Sequence, residues 1–173
     1  MIRYDASNHA VYSTEIGRIA SQYYISVGSI INFNELTISA SGKKVQFIDF
    51  EDIMCLIASA KEFEQLRIRP EEEEEIERCK KELPLALKYR ESETVRSVAQ
   101  VKVLLLLKFY LARVSVRAHS LISDTAYVIE NAERISRALF EIEVYRQHSE
   151  SSLRLLSIAK CITKRCWEGM TIL

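Results

Sequence analysis

The chain has 173 residues, and its 24 lysine and arginine residues balance 24 aspartate and glutamate residues. This length fits one domain with a sizeable core, and the zero net charge argues against a strongly basic, free-standing nucleic-acid binder while still allowing a local basic stripe. Apolar residues make up 48%, with 4 glycines and 2 prolines, which excludes a disordered chain and favours an all-α fold over a turn-rich all-β one.

The first element in chain order is a short β-hairpin within residues 1–12. Residues 5–8 read Asp-Ala-Ser-Asn, a turn-forming stretch between Ile2, Tyr4, Val11 and Tyr12. Because a two-stranded hairpin is marginal by itself, we expect it to belong to a structure that lies upstream.

Helical patterns follow from residue 14. Thr14 can cap the first helix, and Asp49 can cap a third, apolar one. A second short helix is predicted after Gly28 and Ser29, and the polar residues 37–44 predict a loop.

A fourth helix is predicted between two prolines. Pro70 suits the first position of a helix, and Pro84 ends it. Glutamates 71–75 suit its first turn, where the helix dipole stabilises negative charge.

Longer helices complete the chain. The expected spans are 95 to about 116, Ser123 or Asp124 to about Arg146, and Ser151 or Ser152 to Trp167. We expect about seven helices in an all-α bundle with a long central helix. Phe109, Leu139 and Trp167 are expected in its core, where each truncation of a buried side chain costs roughly 2 to 5 kcal/mol.

Motifs of enzymatic chemistry are absent from the sequence. Gly42-Lys43 lacks the upstream glycine and downstream Ser or Thr of a phosphate-binding loop. Cys161 and Cys166 are five residues apart, which favours buried thiols over zinc ligands. The four cysteines do not form a disulfide framework, which favours the reducing cytosol or nucleus. We therefore predict no catalytic residue, no metal ligand and no cofactor for this chain.

The most informative segment is 124–143, which reads DTAYVIENAERISRALFEIE. One apolar stripe recurs at steps of three and four residues and must face a core, and its members are Val128, Ala132, Ile135, Leu139 and Ile142. Beside it lie Tyr127, Asn131, Arg134 and Arg137. A tyrosine ring can stack on a base, an arginine can stack or pair with phosphate, and an amide can reach a base edge or a sugar. The alternative is an ordinary surface stripe, with Tyr127 half-buried and Arg134 paired with Glu130.

An acidic stretch lies within residues 61–77. A solvated helical face explains most such runs. The alternative is a protein-docking patch at residues 71–75.

Several segments, in order along the chain, resemble one known family. The segments are YSTEIGRIASQYYI at 12–25, EFE at 62–64, RPEEE at 69–73, LISDTAYV at 121–128 with NA at 131–132 and RISRALFEI at 134–142, and KCITKRCW at 160–167. They are similar to the Sec-sixty-three homology unit, which follows the motor in large superfamily-two helicases. Within that family they most resemble helicases of the activating signal cointegrator complex, and next the spliceosomal helicases that unwind paired small nuclear RNAs.

The resemblance implies a fold and a function. Residues 1–13 would be the tail of a winged-helix domain, and 14–173 the helical bundle whose ratchet helix lies across a translocating strand. In related archaeal repair helicases a basic and an aromatic position seven apart touch the strand, and they fall here at Tyr127 and Arg134 with the residue types exchanged. The bundle closes a ring around the strand, while motor domains elsewhere in the parent use ATP and Mg²⁺.

The same resemblance implies partners and a location. The partners would be single-stranded RNA or DNA, the motor and winged-helix domains of the parent chain, and other proteins of its complex, without a membrane. The location would be the nucleus or the cytoplasm. The family often continues after the tryptophan with Pro-Leu-Arg-Gln-Phe, whereas residues 169–173 differ, so we expect a fragment that is not an enzyme alone. The alternative function is protein docking by an inactive helicase cassette.

Overall fold

The computed structural model describes residues 1–37, 49–88 and 97–167. Within these ranges, a two-stranded antiparallel hairpin precedes seven α-helices, which confirms the predicted all-α class. The elements are β1 (Ile2–Asp5), β2 (Ala10–Ser13), α1 (Glu15–Gln22), α2 (Val27–Thr37), α3 (Phe50–Ala58), α4 (Glu73–Glu82), α5 (Val98–Leu111), α6 (His119–Tyr145) and α7 (Ser149–Lys164). The Gly42-Lys43 pair and the expected helix start at residue 95 lie outside the described residues.

The long helix α6 organises the core, because α1, α3, α5 and α7 all pack against it. Its 27 residues span about 40 Å. The predicted core residues Phe109 and Leu139 are buried. Trp167 is only partly buried and lies at the edge of the core. Its ring meets the Phe50 ring edge-on, with 6.3 Å between the ring centroids.

Two helices end earlier than the sequence predicts. The last residue of α5 is Leu111 rather than one near 116, and α7 ends at Lys164 rather than at Trp167. Just beyond these ends Arg113 and Arg165 adopt left-handed backbone conformations, with φ of 59° and 50°. Glycine is the usual residue in a left-handed conformation after a helix. Because arginine stands at both positions, the sequence gives no signal that the helices end there.

The two C-terminal helices also begin earlier than predicted. Helix α6 begins at His119 rather than after Ser123 or Asp124. The Asp124 carboxylate does not cap a helix end and instead accepts a 2.6 Å hydrogen bond from Lys102. Helix α7 begins at Ser149, and Ser151 and Ser152 are buried within its first turn.

The N-terminal caps agree with the sequence more closely. Thr14 Oγ1 accepts from the Gly17 amide at 3.1 Å, as predicted. Asp49 occupies the N-cap position of α3, although its side chain makes no capping hydrogen bond. Pro70 begins a 3₁₀ turn that leads into α4.

The hairpin is fixed to α1 by a close approach of backbones. The amide and hydroxyl of Thr14 both donate to the Met1 carbonyl oxygen, at 3.0 and 2.9 Å. A Cβ atom at position 17 would lie 2.2 Å from that same oxygen. Glycine at this position therefore permits the contact between the hairpin and the first helix.

A buried ion-pair network joins the 3₁₀ turn before α4 to α5 and α6. Lys102 Nζ lies 2.6 Å from Glu72 Oε2 and 2.6 Å from Asp124 Oδ2, and it donates to the Arg67 carbonyl at 2.7 Å. Lys102 and Glu72 are almost completely inaccessible. Burial alone would raise the pKa of Glu72, but hydrogen bonds from Lys102, the Arg69 amide and Ser120 outweigh it and lower the pKa to about 2. The network holds the first turns of α6 against α5.

Candidate nucleic-acid interface

The candidate interface lies on α6, beside the stripe of this helix that faces the core. The predicted apolar stripe of this helix is confirmed, because Val128, Ala132, Ile135, Leu139 and Ile142 are all buried. Burial of this stripe fixes the rotation of α6 about its axis. The positions beside it are thereby directed toward the protein surface or its margin.

Tyr127 combines exposure with a fixed orientation. Its residue surface is 44% exposed, yet its hydroxyl donates to the Glu62 carbonyl at 2.8 Å. Its ring meets the buried Phe63 ring edge-on, with 6.3 Å between centroids. A ring held at two points loses little conformational freedom when a base stacks on it. Tyr127 therefore has the properties of a stacking platform.

Asn131 and Arg134 are engaged inside the protein. Asn131 is buried, donates to the Tyr127 carbonyl at 2.8 Å, and accepts a hydrogen bond from Arg134. Arg134 Nη1 donates to the carbonyl oxygens of Tyr23 and Tyr24 at 3.0 and 2.9 Å. The hydrogen bonds of Arg134 thus differ from the pairing with Glu130 that the alternative interpretation expects. Arg134 instead connects α6 to the carboxyl end of α1.

Arg137 is the more accessible arginine of the predicted set. Its side chain is 52% exposed and forms an ion pair with Glu133 at 3.1 Å. It lines a groove of about 370 Å³ between α6 and α7, together with Lys160 and Lys164. These three cations outnumber the one carboxylate in the groove lining, that of Glu141, and suit the phosphates of a nucleic-acid backbone.

The site predicted from the sequence did not include the two lysines of this groove. They lie four residues apart on α7, which places them on one face of that helix. That spacing was visible in the sequence. What the sequence did not show was the packing of α7 against α6 that brings both lysines beside Arg137.

The described residues offer little for metal or redox chemistry. Within residues 1–37, 49–88 and 97–167, no group of three or more His, Cys, Asp or Glu side chains could hold a metal ion. Cys55, Cys79 and Cys161 are buried. The prediction of a buried thiol is confirmed for Cys161 and wrong for Cys166, which is partly exposed just beyond the end of α7. Burial raises the pKa of the Cys79 thiol, which disfavours the reactive thiolate. No helix in the described part of the chain is long and apolar enough to cross a membrane.

A comparison with models of protein families shows which family this chain belongs to. The model of the Sec63 Brl domain matches residues 13–170, which includes every helix described above. This chain belongs to the Sec63 Brl domain family. The resemblance predicted from the sequence motifs is therefore confirmed. Helix α6 contains the segment 121–142 whose motifs resemble the family's ratchet helix. Residues 1–12 precede the matched region, so the assignment of 1–13 to a winged-helix domain stays a prediction.

Individual relatives of this Sec63 Brl domain are large proteins. The chain is 38% identical over 169 residues to human activating signal cointegrator 1 complex subunit 3, and 32% identical over 168 residues to the Arabidopsis thaliana DExH-box ATP-dependent RNA helicase DExH14. It is 27% identical over 171 residues to the Drosophila melanogaster U5 small nuclear ribonucleoprotein 200 kDa helicase. The alignments cover 96%, 96% and 99% of this chain but 7% of each relative. Both groups predicted from the sequence are thus among its relatives.

Proposed function

We propose that this Sec63 Brl domain is an accessory module of an ATP-dependent helicase, where it closes a ring around the translocating single strand of RNA or DNA and guides it. The observation that carries the proposal is the pairing of an anchored, exposed aromatic ring with an exposed arginine on one helix. Tyr127 and Arg137 are ten residues apart, or about 15 Å along α6. Stacking at one end and phosphate pairing at the other would hold a strand without reading its sequence.

The arrangement divides the predicted site residues into two roles. Tyr127 and Arg137 would touch the strand. Asn131 and Arg134 would act as positioning residues, because their hydrogen bonds hold the Tyr127 backbone and the end of α1. The chain would supply no catalytic residue.

ATP and Mg²⁺ would be used by motor domains elsewhere in the parent protein, since this sequence lacks the glycine-rich loop, Gly-x-x-x-x-Gly-Lys-Ser/Thr, that binds nucleotide phosphates. Relatives are named as an RNA helicase and as a small nuclear ribonucleoprotein helicase. These names support RNA as the first strand to test, with DNA as the comparison. They also support the nucleus as the location of the parent, with the cytoplasm as the alternative. Its further partners would be the parent's motor and winged-helix domains and the other proteins of its complex.

The decisive variant is Tyr127→Ala combined with Arg137→Ala in the full-length parent. We expect single-strand affinity to fall at least tenfold, because stacking on an aromatic ring is worth about 1 to 3 kcal/mol per base. The slope of log affinity against log salt should also become shallower by about 0.7, for the one phosphate contact that is lost. Fluorescence anisotropy with a labelled oligonucleotide at several salt concentrations measures both, and unwinding should fall in parallel.

The matched control is Arg18→Ala. This exposed arginine of α1 pairs with Glu15, so its removal changes the net charge equally while leaving α6 intact. Arg134→Ala is a poorer probe, because it would also release the carbonyls at the end of α1. Normal binding and unwinding by a folded double variant would overturn the strand-guiding proposal.

A second candidate function is protein docking through α4 and the turn before it. Glu72 and Glu75 of the acidic run are engaged in ion pairs with Lys102 and Arg78, whereas Glu71, Glu73 and Glu74 are exposed. A docking patch would therefore consist of these three carboxylates, which suit a basic protein surface.

Reversal of the three exposed charges to lysine tests this alternative. If the parent docks through this patch, the variant should lose a basic partner in quantitative affinity purification and keep normal unwinding. Substitution of the same three residues by glutamine should give an intermediate loss. Unchanged recovery of every partner by the lysine variant would exclude the patch.

A further inference from the structure

Tyr24 presents an aromatic ring that the fold does not bury. Its residue surface is 82% exposed, and no other large hydrophobic side chain among the described residues is more exposed. It follows directly after the C-cap residue of α1, Tyr23. Its backbone is left-handed, with φ of 52°.

The backbone around Tyr24 forms the hydrogen bonds of a Schellman motif. The Ile25 amide donates to the Ala20 carbonyl at 2.8 Å, and the Tyr24 amide donates to the Ser21 carbonyl at 3.2 Å. Glycine is the usual residue at the left-handed position of this motif, and a large side chain there is strained. Since the ring is mostly exposed, fold stability does not explain why tyrosine stands at this position. Other non-glycine residues of this chain share the left-handed backbone, so the exposed ring, and not the strain, distinguishes this position.

Hydrogen bonds tie the segment that carries Tyr24 to the same part of the fold as Tyr127. Its carbonyl oxygen accepts from Arg134 of α6 at 2.9 Å. Two residues later, the Ser26 amide donates to Glu62 Oε1 at 2.8 Å. The backbone carbonyl of the same glutamate accepts from the Tyr127 hydroxyl at 2.8 Å. Glu62 is therefore hydrogen-bonded both to Tyr127 and to Ser26, two residues after Tyr24, and both tyrosines are exposed.

We propose that Tyr24 is a second stacking residue that receives a nucleobase of the single strand next to the one on Tyr127. Arg134 is then a positioning residue, because it holds the backbone carbonyl of Tyr24 against α6. This inference rests on the strand-guiding function proposed above. It adds a residue that follows α1 to an interface otherwise formed by α6 and α7.

Three substitutions in the full-length parent separate stacking from structure. Tyr24→Asn removes the ring and keeps a residue that tolerates the left-handed conformation, Tyr24→Gly removes the ring and the strain, and Tyr24→Phe keeps the ring. The probe is a single-stranded oligonucleotide with one 2-aminopurine, moved along the strand, because stacking quenches its fluorescence. We expect the Asn and Gly variants to lose quenching at one position and at least fivefold in affinity, and the Phe variant to retain both.

The thermal unfolding temperatures of the same variants distinguish a role in strand binding from a role in fold stability. Tyr24→Gly should unfold at the same or a higher temperature than the original protein while it binds the strand more weakly. Retained affinity and quenching in the Asn variant would overturn the inference. If Tyr127→Ala with Arg137→Ala still weakens binding in that case, the proposed function stands without Tyr24. If neither set of variants changes binding, both proposals are wrong. A loss of thermal stability without a change in quenching would assign Tyr24 to a contact within the protein.

Discussion

Replacement of Lys102 by methionine is expected to lower the free energy of unfolding by up to about 3 to 5 kcal/mol, because it leaves the buried Glu72 carboxylate with only the half-exposed Arg69 as its cation. The methionine fills a similar volume, so the loss reports the charge rather than a cavity. Urea unfolding at pH 7, followed by circular dichroism, measures the change. Lys81→Met on the exposed side of α4 is the control and should have little effect.

The pH dependence of this loss identifies its cause. The folded-state pKa of Glu72 is about 2, below the ordinary value of 4.5. The carboxylate therefore contributes stability above about pH 4.5, and this contribution is lost as the pH falls toward 2. In the Lys102→Met variant a protonated Glu72 is easier to bury, so the difference between the two proteins should shrink as the pH is lowered from 7 to 4. An equal difference at both pH values would show that the ion pair is not its source.

Replacement of Leu105 by aspartate is expected to unfold the domain. Leu105 is almost completely inaccessible within α5, so the variant would bury a charge with no cation introduced to pair with it. A loss above about 5 kcal/mol approaches the whole stability of an ordinary domain. Far-ultraviolet circular dichroism and size-exclusion chromatography should show an expanded chain.

The control for Leu105→Asp lies on the same helix. Val98 occupies the first turn of α5 and is exposed, and an aspartate there interacts favourably with the helix dipole. Val98→Asp should therefore fold normally. A folded, cooperative Leu105→Asp variant would contradict the placement of α5 in the core.

The fold was largely predictable because its core follows local periodicity. The stripe from Val128 to Ile142 faces inward as the spacing of three and four residues requires. Helix ends were less predictable. Arg113 and Arg165 take left-handed conformations without glycine, and Asp124 pairs with a lysine of another helix instead of capping its own.

The candidate site shows the same division between local and long-range information. Helical spacing predicts that Tyr127 and Arg137 lie beside the apolar stripe, and both are exposed. It does not predict that Arg134 donates to carbonyls more than 100 residues earlier in the chain. Nor does it predict that Tyr24 and the lysines of α7 come to lie around the same helix. Such neighbours are created by tertiary packing, which a single sequence does not display.

Photocrosslinking of a translocating strand tests the central claim most directly. A single strand carrying 4-thiouridine at successive positions would be bound to the full-length parent, irradiated, digested and analysed by mass spectrometry. Our account predicts crosslinks to the part of α6 that contains Tyr127 and Arg137, and their loss in the double variant. Crosslinks confined to other domains, with none in residues 119–145, would contradict the claim that this helix guides the strand.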